Sequence, residues 1–186
     1  MLGWHFIRED RTLGYGDDRL VRVGETLTVD CQPVLCKAGL HASPTVLDAL
    51  QYAPGPVLCR VELGGVIVRG DDKSAATKRT VLKMADVSAV LHEFACRCAE
   101  DALALVTNPD PRSLAVIETK RRWLKGQASD SELDAAWDAA WDAAWTAAAS
   151  RDAARAAARA AARDAAWDVQ RKRLASMLHG VEWESE

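Results

Sequence analysis

Five side chains in this sequence have the types needed for chemistry at one place: His5, His41, Glu62, Ser43 and Tyr52. His41 stands in Gly39-Leu40-His41-Ala42-Ser43, a glycine-led loop running into a helix, where an imidazole or free backbone N–H groups can meet an anion or move a proton. A structural histidine hydrogen-bonding its own loop accounts for the same residue. Glu62 lies in a strand-like run and, set beside His5 and His41, makes a polar site capable of catalysis. An exposed strand glutamate is the plainer account of it. His5, His41 and Glu62 are therefore the catalytic candidates, and His41, Ser43 and Tyr52 the ligand-binding ones.

Metal chemistry finds less support. Cys31, Cys36, His41 and Cys59 are zinc-ligand types without a paired CxxC spacing, so free buried thiols are the expected state. Cys96 and Cys98 fall about 200° apart on a helix and cannot face one ion, although His92 and Cys96 can. Asp71 and Asp72 follow Gly70 in ordinary turn chemistry. No metal and no cofactor are expected, and no Walker loop, GxGxxG, HExxH or GxSxG motif occurs.

The elements that must position these residues read as an α+β domain. Trp4 to Ile7 suits a first strand, and Leu20 to Val23 and Thr26 to Val29 suit two short ones, with Pro33 to Cys36 as an extension. Ser43 is placed to cap a helix with Pro44 in its first turn and Val46, Leu47, Leu50 and Ala53 on one face. Val57 to Leu63 reads as a strand broken by Gly64-Gly65 before Val66 to Val68, and Arg79 to Met84 as a last strand. A helix follows from Asp86 or Ser88, with Val87, Val90, Leu91, Phe94, Cys98, Ala102 and Leu105 as its stripe. A second runs from Arg112 to Lys125 with Leu114, Ile117, Trp123 and Leu124 buried. The expected division is an N-terminal domain over 1–126 and a helical arm over 127–186.

The arm opens on Ser129-Asp130-Ser131-Glu132, the spacing of a capping box. Between Asp134 and Asp168, 19 of 35 residues are alanine, which favours helix strongly and buries little area. Trp137, Trp141 and Trp145 recur every four residues and are followed by Arg151, Arg155, Arg159 and Arg163. Each step of four advances about 40° around a helix, so one face is aromatic and then basic. Asp142, Asp138 and Asp134 fall opposite Arg155, Arg159 and Arg163 when the arm packs antiparallel about a centre between Ala148 and Ala149. A hairpin and a homodimer both satisfy that register. With no glycine or proline between Thr146 and Ser150, the coiled-coil-like dimer is the expected form, and a solitary solvated helix leaves the tryptophans in water.

Net charge of -3 gives no reason to expect nucleic acid, and the acids flanking the arginine row argue against it. No apolar run reaches the roughly 18 to 20 residues that span a bilayer. The Met1 to Phe6 start lacks a basic region backed by an apolar one, so a cytoplasmic protein is expected.

The signature Gly39-Leu40-His41-Ala42-Ser43, Leu47-Asp48-Ala49-Leu50, Tyr52-Ala53-Pro54-Gly55, Cys59-Arg60-Val61-Glu62-Leu63 and Gly70-Asp71-Asp72-Lys73 resembles an uncharacterised phage and bacterial family, whose members join such a domain to alanine-rich repeats. The resemblance covers most of the chain and brings no activity. It implies a mobile-element setting inside a bacterial host, in which small proteins bind host or defence components. A fainter resemblance is to the ADP-ribosyltransferase and RNA 2′-phosphotransferase group. It implies an NAD pocket matched by His5, His41, Ser43 and Glu62, without that group's spacing or its glutamate motif before the last strand. The expected function is a non-enzymatic accessory binding protein that self-associates through its arm, with an NAD-using transferase and nucleic-acid binding through the arginine row as the alternatives.

Overall fold

The computed structural model describes residues 1–14, 16–148 and 154–185; side chains at 142–148 and 154–165 lie outside that description. Alternating apolar residues build six antiparallel strands: β1 (Leu2–Ile7), β2 (Thr26–Thr28), β3 (Leu40–Ala42), β4 (Val57–Arg69), β5 (Ser74–Asp86) and β6 (Glu184–Ser185). The sheet runs β1-β4-β5-β2, and β3 and β6 also pair with β5. The long hairpin β4–β5 is its frame, carrying β1 along β4 and three short strands along β5. Its inward face packs Ile7, Leu27, Leu40, Val57, Cys59, Val61, Leu63, Val81 and Met84 into one core.

Several sequence expectations are corrected. Gly64-Gly65 does not end a strand: β4 continues to Arg69 through an irregularity between Gly64 and Ile67. Gly65 takes φ +70, where a Cβ would stand 2.1 Å from Thr77 Oγ1, so the ladder absorbs the disturbance as a bulge. The last strand of the hairpin begins at Ser74, not Arg79, because the partner strand supplies bonds that Ser-Ala-Ala-Thr would not win by propensity. Leu20 to Val23 form no strand beyond a single bridge from Leu20 to Thr12, and Val34 bridges Ala38 around a turn. Ser43 is not the helix cap. As the residue before proline it is held extended and exchanges two 2.8 Å backbone bonds with Trp4, while Thr45 caps α1 (Val46–Leu50).

Two compact units emerge, Met1–Ser88 with Arg171–Glu186, and Ala89–Gln170. The first thus includes the end of the chain: Leu174 is 0% exposed, Leu178 is buried, and β6 lies on β5. Trp183 packs on Trp4 at 5.9 Å between centroids, with Arg60 over Trp4 and Lys83 over Trp183. The second unit is helical, with α2 (Ser88–Ala104) entering it, α3 (Pro111–Leu124), α4 (Asp130–Ala148) and the start of α5 (Ala154–Met177). Cys96, Val116, Ile117 and Ala140 form its core, rather than Cys98, Leu114 and Leu105, which lie off the buried faces. Arg121 is clasped by Glu93 at 3.0 Å and by Glu100. The capping box forms as expected: Ser129 N–H donates to Glu132 at 2.8 Å and Glu132 N–H donates to Ser129 Oγ at 3.2 Å. Trp137 and Trp141 are 55% and 69% exposed on α4, where Asp134 and Asp138 are exposed too. Trp145, Asp142, Arg155, Arg159 and Arg163 have side chains outside the description, as has the centre of the antiparallel register at Ala149.

Candidate functional site

The backbone bridge between Trp4 and Ser43 brings β1 against β3, and β3 in turn pairs with the start of β5. Two glycines permit this. A Cβ on Gly3 would stand 2.9 Å from that of Ala42, and Gly39, at φ +102, turns the preceding loop into β3 where a Cβ would stand 3.2 Å from Ala76 O. Where β1, β3 and β5 meet, a cavity of about 480 Å³ opens. His5, His41, Ser43 and Tyr52 all line it. Glu62 does not: it lies opposite Leu2 on β4, 58% exposed and 4.0 Å from the N-terminal amine.

The group that sequence reasoning missed is Arg79. It is in phase with Val81 on β5, so it points inward where Lys78 points out, and it is only 2% exposed. Nη1 donates to His41 O at 2.7 Å, while Nε has no partner. Among the described residues no carboxylate pairs with it, and burial pulls its pKa down to about 10. A guanidinium in this position, amid an apolar core, is costly. The available signal was the strand's two-residue period, which sets Arg79 with the core residues.

Both histidines are held neutral. Burial, then the Arg79 charge and His41, push His5 well below the ordinary 6.5, and burial with Lys73 lowers His41. His41 Nε2 accepts from Cys36 N–H at 3.2 Å, so this ring does serve its loop while also lining the cavity. For His5 no hydrogen-bond partner occurs among the described residues. Lys73, from the β4–β5 turn, lies 3.5 Å over the Tyr52 ring, and the Tyr52 hydroxyl donates to Asp72. Asp17, an acid on the cavity wall, is clamped by Arg19 at 2.7 Å, which holds its carboxyl below the usual range.

The cysteines are free thiols, with Cys59 and Cys96 buried and Cys31 and Cys36 exposed against expectation. Burial pushes the Cys59 thiol up to about 12, removing it as a nucleophile. Among the described residues no cluster of three metal-ligating side chains forms, and no helix is long and apolar enough to cross a membrane. The wall therefore presents one buried guanidinium, two neutral imidazoles and the ammonium groups of Lys37 and Lys73, an arrangement suited to holding an anion.

A family model described as a domain of unknown function, DUF7666, matches residues 1–93, a span that contains every residue lining the cavity. No curated protein and no solved structure matches the chain.

Proposed function

The chain belongs to the DUF7666 family, and from that premise we propose that it is a non-enzymatic binding protein whose N-terminal unit holds a small anion in the cavity walled by Arg79. One observation carries this reading: a guanidinium 2% exposed, with Nε unpaired and, among the described residues, no carboxylate in ion-pair contact, since the nearby Asp17 is clamped by Arg19. A buried charge left without its counter-ion destabilises a fold, and a ligand that supplies the counter-ion relieves the cost. The test is a thermal-shift and calorimetric survey of anions against the intact chain and Arg79→Met. Saturable binding that vanishes in the variant supports the reading, and binding indifferent to Arg79 sinks it.

The phage or prophage setting, the bacterial cytoplasm and a host or defence component as the eventual target belong to the same proposal, resting on the GLHAS to GDDK signature. The competing NAD-using transferase needs Glu62 at the ligand, and Glu62 lines no part of the cavity. Release of nicotinamide from NAD that depends on His5 or His41 would restore it.

A second reading, self-association through the arm, is favoured by the exposure of Trp137 and Trp141. Light scattering on the intact chain and on a Trp137→Gln, Trp141→Gln double variant tests it: a dimer that becomes a monomer supports association, and equal masses count against it.

A further inference from the structure

We infer that the anion the cavity takes is the dianionic group of a phosphate monoester carried on a small aromatic or apolar body. This rests on the anion-binding reading and goes further, to the ligand's chemical class. Charge comes first. Arg79, Lys73 and Lys37 line the cavity, and the acid that lines it, Asp17, has both oxygens taken by Arg19 at 2.7 to 3.1 Å. A monoanion leaves that excess positive charge largely unanswered, whereas a dianion meets more of it.

Geometry points the same way. Arg79 comes from mid-β5, Lys73 from the β4–β5 turn, Lys37 from the loop before β3 and His5 from β1. All four line the same cavity, where Arg79 Nη1 reaches His41 O at 2.7 Å, and Arg79 and Lys73 both act electrostatically on His41. Donors arriving from four separate elements surround a tetrahedral group better than a flat carboxylate, which one fork would satisfy. The His5 ring, without a hydrogen-bond partner among the described residues, adds a neutral donor that needs no counter-charge.

The remaining space defines the rest of the ligand. About 480 Å³ exceeds what a bare oxyanion fills, and Leu13, Leu40 and Tyr52 offer apolar and aromatic wall for an organic group. Lys73 lies over the Tyr52 ring at 3.5 Å, which sets a cation at the aromatic wall, so an organic group packed along that wall keeps its phosphate within reach of the cationic side.

The experiment is isothermal calorimetry on the full-length protein at pH 7.5 with phenyl phosphate, benzoate, inorganic phosphate and a phosphotyrosine peptide. Phenyl phosphate should bind at least about tenfold more tightly than benzoate or inorganic phosphate, the factor expected from losing one charge-assisted contact or the ring. Arg79→Met should abolish that binding. Lys73→Gln, a change in a surface turn that does not threaten the fold, should weaken it about tenfold. Benzoate binding as well as phenyl phosphate, still through Arg79, would overturn the phosphate assignment and leave the anion reading standing. No Arg79-dependent binding of any probe would overturn both. A phosphotyrosine peptide more than about tenfold tighter than phenyl phosphate would overturn the assignment to a small ligand.

Discussion

Replacing Arg79 by methionine should make the unliganded protein more stable while destroying its capacity to bind. The guanidinium is 2% exposed and its pKa falls from 12.5 to about 10, which corresponds to roughly 3 kcal/mol against the charged form. Against this stands one hydrogen bond to His41 O at 2.7 Å, worth about 1.5 to 3 kcal/mol for a charged donor. Methionine fills similar space, strands no Nε, and leaves the His41 carbonyl at a cavity wall that water reaches. The balance favours the variant by about 1 kcal/mol, or roughly 2 to 4 °C in a chain of this size. Urea unfolding of the ligand-free chain at pH 7.5 is the assay. Arg121→Met provides the contrast: its guanidinium is held by two carboxylates, so the same substitution should destabilise by about 1 kcal/mol. A loss of about 2 kcal/mol or more at Arg79 would show that the guanidinium is a structural strut, and the reasoning that leads from its isolation to a ligand would fail.

Three further outcomes are expected. Because the folded state holds His5 below 6.5, stability should be fully present above pH 6.5 and fall as pH drops below it; His5→Gln should flatten that decline, and a melting temperature as acid-sensitive in the variant as in the parent would remove His5 as its source. Leu174→Ala, at a 0% exposed site in the first unit, should cost about 2 to 5 kcal/mol in denaturant unfolding, and a cost below about 1 would place the C-terminal turn outside that core. Ser129→Ala removes one half of the capping box and should cost about 1 kcal/mol, read as faster amide exchange in the first turn of α4; unchanged exchange would mean that the box contributes nothing.

The sequence was most legible where local pattern and tertiary role agree. Trp4 to Ile7, Thr26 to Thr28, the capping box at Ser129 and the stop at Gly126, with φ +68, all follow from short-range rules. It misled where a partner overrides propensity: Ser74 to Thr77 is strand because β4 lies beside it, and a bulge carries Gly64-Gly65 through the ladder. For the site, His5, His41, Ser43 and Tyr52 were identifiable by type, but Arg79 sits in Lys78-Arg79-Thr80 and reads as a solvated strand face unless the alternation is followed from Val81. Glu62 failed in the opposite sense, since its neighbours are suggestive while its side of the strand faces water. The return of the chain end was hidden by composition: Leu174, Leu178 and Trp183 carry a clear apolar message at the foot of an alanine-rich helix.

That return changes what kind of object the repeat is. With Leu174 in the core, Glu184 paired to Arg11 and β6 joined to β5, residues 89–170 form an insertion tethered at both ends and not a free tail. Chain-closure entropy rises only with the logarithm of the enclosed length, about 0.6 kcal/mol for each doubling. Gain or loss of a four-residue unit therefore changes this closure term by well under about 0.6 kcal/mol for the sheet that holds the cavity. The length of the repeat becomes a quantity that selection can adjust separately from ligand recognition, while the residues that fasten its far end stay as constrained as any in the core.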